Sequence, residues 1–206
     1  PSQRAQREEL LEKRTQLTAQ REKRSQLLNE EYAQWLASLS SATGTADGWK
    51  PLVPTSFSTS GGEEYEIQPD GSVLLSGSVP DTVDHTFEFA NLPEMPTAVR
   101  IELLTDPRIP GTGPGRGDEQ RSNVILSELI CEIVRADGQI QKISLGSPRA
   151  DFSQTKWDVK QAIDGDRKTG WAISPEFGKP HWASFVLNNR PQLDQADRIR
   201  VRLGQY

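Results

Sequence analysis

Soft metal ligands and redox-active side chains are almost missing from this chain of 206 residues, which has one cysteine, two histidines and one methionine. The single cysteine, Cys131, excludes an intramolecular disulfide. It sits in the apolar run "VILSELICEIV" and reads as a small buried hydrophobe. His85, His181 and Cys131 are too few and too widely spaced for a zinc site. Two histidines also leave little room for general-base chemistry near neutral pH. Long hydrophobic runs are missing too. None approaches the roughly 20 residues that a membrane-spanning helix needs. There is no excess of positive charge, since the net charge is −5, so the basic footprint of a nucleic-acid binder is absent. Also lacking are a Gly-x-Ser-x-Gly elbow, a phosphate loop, a His-Glu-x-x-His pair and any carboxylate pair marked by a motif. These absences point away from catalysis, and we read the chain as a non-enzyme. The opening "PSQRAQREEL" is not a signal peptide and reads as the start of an excised fragment.

Proline and glycine are missing between Ser2 and Ala42. Ser2 is a plausible N-cap, and Glu9 and Lys13 form a favourable i, i+4 pair. Residues 1–39 therefore read as a helix or helical hairpin. Its apolar stripe is thin at Leu10 and Leu17, where Arg14, Arg21 and Arg24 occupy neighbouring seam positions. It thickens at Leu28, Tyr32, Trp35, Leu36 and Leu39. We expect a solvated first half and a docked second half. Either a solvated spacer or a partner for a helix outside this chain fits that pattern. Arginine at seam positions argues against a sustained coiled coil.

Residues 40–48, "SSATGTADG", read as a linker. From residue 49 to 206 the pattern changes to period two with β-branched residues. Strands are predicted at 65–68, 72–76, 85–89, 98–104, 123–135, 140–145, 182–187 and 198–203. "QPDGSV" and "RADGQI" predict hairpin turns at Asp70-Gly71 and Asp137-Gly138. Short strands separated by turn signals predict a mainly β domain, an antiparallel β-sandwich or jelly roll. Residues 105–123 form a long Gly/Pro-rich loop of the kind that is functional or mobile. It contains the tripeptide "RGD", which reads as a chance occurrence.

"AIDGDRKTGW", residues 162–171, places Asp164 and Asp166 on either side of Gly165, with Thr169 close behind. It does not fit an EF-hand, which needs Asp-x-Asp-x-Asp-Gly and a distal glutamate. Calcium accepts carboxylates and backbone carbonyls together, and a loop curling through glycine can aim several oxygens at one point. A plain Asx-turn, with an aspartate capping its own backbone, accounts for the same residues.

The segment "AIDGDRKTGWAISPEFGKPHWASFVL" resembles discoidin, or coagulation-factor type C, domains, which are galactose-binding-like β-sandwiches that include many carbohydrate-binding modules. In that family an Ala-x-Asp-Gly-Asp-x-x-Thr-x-Trp loop wraps a structural calcium, and a Leu-x-Glu strand completes its shell. Here "ILSELICEI" places Glu128 at the matching position, but ahead of the loop, which implies a circularly rearranged sandwich. The resemblance implies that Glu128, Asp164, Asp166 and Thr169 bind calcium, helped by carbonyls of Ala162 and Ser127. "WKPLVPTSFSTSGGEEYEIQPDGSVLLSG", "LLTDPRIPGTGPGR", "NVILSE" and "ADFSQ" further resemble large planctomycete-type proteins. Those proteins join a cytochrome c domain to a coiled segment and a discoidin-like module. This implies a periplasmic or extracellular protein whose partners are a polysaccharide or oligosaccharide and other domains of a larger chain. Such proteins continue past "LGQY" into a further strand, which implies either that one edge of the sandwich is incomplete or that the last strand lies beyond the given sequence. No Cys-x-x-Cys-His motif occurs here.

Sugar sites need flat aromatic faces plus charged or amide groups. Trp171 reads as core. Trp35 and Trp49 read as sealing the helix to the domain. Trp157, in the polar "SQTKWDVK", and Trp182, opening a strand, are the candidate platforms. Arg116 and Arg149 could hold a uronate or sulfate in bidentate fashion, or form ordinary salt bridges.

Overall fold

A computed structural model describes the backbone of residues 3–43 and 48–206, and within the helix the side chains of residues 4, 6, 7, 10–26 and 28. The protein is mainly β, with antiparallel sheets and an N-terminal helix. It divides into two compact units, Pro1–Lys50 and Pro51–Tyr206.

The first unit contains one uninterrupted helix, α1, Gln3–Thr43, and so not a hairpin. It runs past residue 39 into the Ser-Ser-Ala-Thr stretch expected to be linker. Nothing in those four residues forbids helix, and the first glycine comes only at position 44. Side chains 10–26 are exposed, as expected, but so is Leu28, which the sequence placed at the start of the docked half. The side chains of Tyr32, Trp35, Leu36 and Leu39, expected to dock the second half, lie outside the described residues. Among the described residues no helix is long and apolar enough to cross a membrane.

The second unit contains twelve described strands: β1 Ser56–Thr59, β2 Glu64–Ile67, β3 Val73–Ser76, β4 Val83–Ala90, β5 Ala98–Leu103, β6 Ile125–Leu126, β7 Glu128–Val134, β8 Ile140–Ile143, β9 Leu145–Ala150, β10 Trp171–Ala172, β11 His181–Leu187 and β12 Arg198–Gln205. They form a five-stranded sheet, β1-β4-β12-β7-β8, and a three-stranded sheet, β5-β11-β9. Two small pairs, β10-β6 and β2-β3, complete them. The two Asp-Gly turns are where the spacing places them. Gly71 and Gly138 adopt positive φ and donate their N–H groups to Gln68 and Arg135, closing β2-β3 and β7-β8.

Alternation sets the faces. In β12, Ile199, Val201 and Leu203 turn inward while Arg198, Arg200 and Arg202 turn outward. The inward side chains join Leu129, Cys131 and Ile133 of β7, Ile143 of β8, and Ala183, Phe185 and Leu187 of β11 in one core. Trp171 and Ile173 are fully buried within it. Each large side chain so buried contributes about 1.5–3 kcal/mol. Burial pushes the Cys131 thiol up to about 12, so it is an inert core residue. On the outward side a single register row runs Ser56, Glu88, Arg200, Glu132, Lys142 across all five strands. Arg200 Nη2 lies 2.7 Å from Glu88 Oε1, and Arg202 Nη2 lies 3.2 Å from Glu132 Oε1. Strand β12 is therefore central, between β4 and β7.

Candidate functional site

Two places in the second unit gather the residues singled out from sequence. The first is the Asp-Gly-Asp loop. The 3-10 turn Val159–Ile163 leads into it, opened by a capping box in which Asp158 accepts from Lys160 N–H and Gln161 reaches back to the Asp158 N–H. Gly165 has φ +82°, which lets the chain reverse. Gly170 lies against the corner between β6 and β7. A Cβ there would sit 2.6 Å from the Leu126 carbonyl oxygen and 2.8 Å from Ser127 Cα. This close approach brings the loop to Glu128.

Glu128 Oε2 accepts a hydrogen bond from Gly165 N–H at 3.1 Å, across 37 residues of sequence. Burial pushes the Glu128 carboxyl above the ordinary carboxylate range, and the nearby negative charge of Asp164 adds to this. Gly165 N–H, Lys142 and Arg167 pull the other way without cancelling it. Within the loop, Asp164 Oδ1 accepts from Asp166 N–H at 2.8 Å and its Oδ2 accepts from the Thr169 hydroxyl at 2.9 Å. Asp166 Oδ1 accepts from Lys168 N–H at 3.0 Å. These are Asx-turns, and they use one oxygen of each aspartate on its own backbone. Ala162 and Ser127 are fully buried. The Ser127 hydroxyl exchanges hydrogen bonds with the Tyr206 backbone.

The loop thus brings Glu128, Asp164 and Thr169 together. Among the described residues no three histidine, cysteine or acidic side chains converge as a group that could hold a metal ion. Asp166 lies in the same bend without joining such a group. The donors present are hard oxygens, which suit calcium and not zinc. A desolvated glutamate held by one N–H and pressed by a second carboxylate is an environment that a divalent cation would relieve. Glu128 and Asp164 supply two such carboxylates, short of the three that would make a metal-holding group among the described residues.

The second place is the outer face of the three-stranded sheet. His181, Ala183, Phe185 and Leu187 of β11 point inward, so Trp182, Ser184 and Val186 point outward. Register sets Glu102 of β5 beside Trp182, and Arg100 of β5 and Arg149 of β9 on either side of Ser184. The Arg100 guanidinium lies 4.8 Å from the Trp182 ring centroid, and its Nε is 2.9 Å from Glu102 Oε1. Trp182 is half-buried and Arg149 is exposed. Asp151 fixes the start of β11, because its Oδ1 accepts the Trp182 N–H at 2.9 Å and its Oδ2 meets His181 Nδ1 at 2.7 Å.

Two of the four candidate ligand residues, Trp182 and Arg149, therefore share one face. Trp157 is elsewhere, half-buried in a bridge to Gln154, with its carbonyl accepting from Ala172 N–H. Arg116 is committed to an internal ion pair with Glu63 and a 2.9 Å bond to the Ser78 carbonyl, so the salt-bridge reading holds there and it is not presented to a ligand. Trp171 is core, and its Nε1–H donates to the Phe152 carbonyl at 2.8 Å.

Sequence reasoning missed the cluster that Arg116 belongs to. Glu63 Oε2 accepts from the Thr59 hydroxyl at 2.5 Å and meets His85 Nε2 at 2.7 Å, and its Oε1 faces Arg116. Burial pushes the Glu63 carboxyl up, but the bonds from Thr59 and His85 and the charges of His85 and Arg116 hold it below the usual range. The partners come from positions 59, 85 and 116, and no local spacing signals that they meet. Comparison with family models, with curated proteins and with solved structures gives no match for this chain.

Proposed function

We propose that the second unit is a non-catalytic carbohydrate-binding module, a jelly-roll β-sandwich of galactose-binding type. In this reading it belongs to a larger extracytoplasmic protein and recognises a polysaccharide on the outer face of its three-stranded sheet. The observation that carries the reading is the placement of Trp182 and Arg149 on that one face, held in register by β11. A half-exposed indole, with the Arg100 guanidinium over one face, offers its remaining apolar surface to a sugar ring, and the exposed Arg149 offers paired N–H donors for hydroxyl or acidic oxygens. Glu128, Asp164, Asp166 and Thr169, with carbonyls of Ala162 and Ser127, would hold a calcium ion. Bound there, the ion would neutralise the Glu128–Asp164 pair and tie the loop to β7. Its role is structural.

A second reading, a module that docks neighbouring domains of the same polypeptide, draws on the exposed apolar side chains of Leu52, Val53 and Tyr65. Pull-down of the 206-residue chain on insoluble neutral, uronic and sulfated polysaccharides separates the two. Retention that is lost in Trp182→Ala and weakened in Arg149→Ala supports the module. Silence across all three classes favours the docking role.

A further inference from the structure

The first unit presents a surface of a different kind. Leu10, Arg14, Leu17, Arg21, Arg24 and Leu28 follow one another at alternating steps of four and three. On an α-helix that spacing lays them along one stripe, about 27 Å from end to end. Leu10 is 67% exposed, Leu17 56% and Leu28 52%. Leu10 and Leu17 floor a shallow groove bordered by Lys13, Arg14, Thr18 and Arg21. Glu12 and Glu22 fall outside the stripe, because steps of two from Leu10 and five from Leu17 turn them toward the other side. The stripe therefore combines three leucines with three arginines and carries no acidic residue.

This composition selects the occupant. A wholly apolar partner would strip water from the guanidinium groups and leave them unpaired. A second copy meeting stripe to stripe, parallel or antiparallel, would set arginines against arginines. What complements the groove is a helix whose own stripe alternates apolar residues with aspartate or glutamate. It would fill the space over Leu10 and Leu17 and offer carboxylates that match guanidinium geometry. We propose that the stripe Leu10–Leu28 is a docking seam for an acidic amphipathic helix.

The test uses the 206-residue chain and a labelled synthetic peptide of about four heptads whose seam alternates leucine and glutamate. A matched peptide with lysine in place of glutamate is the control. Fluorescence anisotropy is expected to show the glutamate peptide binding at least ~10-fold tighter than the lysine peptide, with the difference shrinking as salt rises. The double variant Arg14→Glu/Arg21→Glu changes only exposed positions. It should keep its helical circular-dichroism signal and exchange the preference, binding the lysine peptide and losing the glutamate one. Equal affinity for both peptides, or none for either, overturns the proposal. So does self-association of the free chain by light scattering that the double reversal leaves intact. Co-sedimentation with vesicles rich in phosphatidylserine, without binding to the glutamate peptide, would assign the stripe to a lipid surface instead.

Discussion

Glu63 and Glu128 are buried to nearly the same extent, 7% and 9% exposed, and yet their carboxyl groups are driven in opposite directions. Glu63 meets a hydroxyl, an imidazole and a guanidinium, and is held below its ordinary value. Glu128 meets one backbone N–H and a neighbouring carboxylate, and is pushed above it. The difference lies in the partners. A buried carboxylate surrounded by donors and positive charge is complete within the chain. One surrounded by too few donors and a like charge is a place where an added cation would lower the free energy. This contrast separates a polar cluster satisfied within the chain from the residues at which we propose that calcium binds.

Removing a partner from the complete cluster should have the largest effect. Arg116→Met leaves the buried Glu63 carboxylate without its guanidinium counter-charge, and should lower unfolding stability by about 3 kcal/mol in urea titration. Calcium comes next. If the Glu128 environment binds the ion, excess calcium at about a hundredfold over Kd should stabilise the chain by ~2.7 kcal/mol relative to chelator, read as a rise in Tm. Glu128→Gln should abolish that rise. In chelator at neutral pH the same variant should be more stable than the parent, because it no longer ionises in a desolvated site. A loss of stability in chelator would break the comparison.

The pH dependence has two opposing parts. The lowered Glu63 value gives stability that is present above the unfolded value of 4.5 and is lost as pH falls through the folded value. The raised Glu128 value gives stability that is present below 4.5 and is lost as pH rises through its folded value. Glu63→Gln should therefore flatten the acid side of the stability profile, and Glu128→Gln the side above 4.5. The smallest stability change is expected on the sheet face. Trp182→Ala should shift Tm by only a few degrees, since the ring is half-buried, while removing polysaccharide retention.

Much of the β unit was legible because its strands obey simple patterns. β4 and β12 alternate cleanly, and both Asp-Gly turns announce themselves. The illegible parts have physical reasons. β9 contains Gly146 and Pro148, which hide a strand, and it survives at the edge of its sheet, where proline is tolerated. β1 is "SFST", with Phe57 its one apolar anchor. Residues 123–135 read as one strand because β7 is buried on both faces, which conceals the break at Ser127 where the chain changes sheets. At the candidate sites, the approach of Glu128 to the Asp-Gly-Asp loop came from family resemblance. Nothing in the local pattern signals a contact 37 residues long. The pairing of Trp182 with Arg149 depends on strand register, which single-chain periodicity does not supply.

The central position of β12 has a consequence for how the molecule is made. β4 and β7 face each other only through it, and the Glu88–Arg200 contact spans 112 residues. As the polypeptide leaves the ribosome, both of these strands must wait with a bare hydrogen-bonding flank until residues 198–205 emerge to close the gap between them. Every nascent chain halted before that point would carry a split sheet with two adhesive margins, which makes this interval the stage of biogenesis where a chaperone has most to hold.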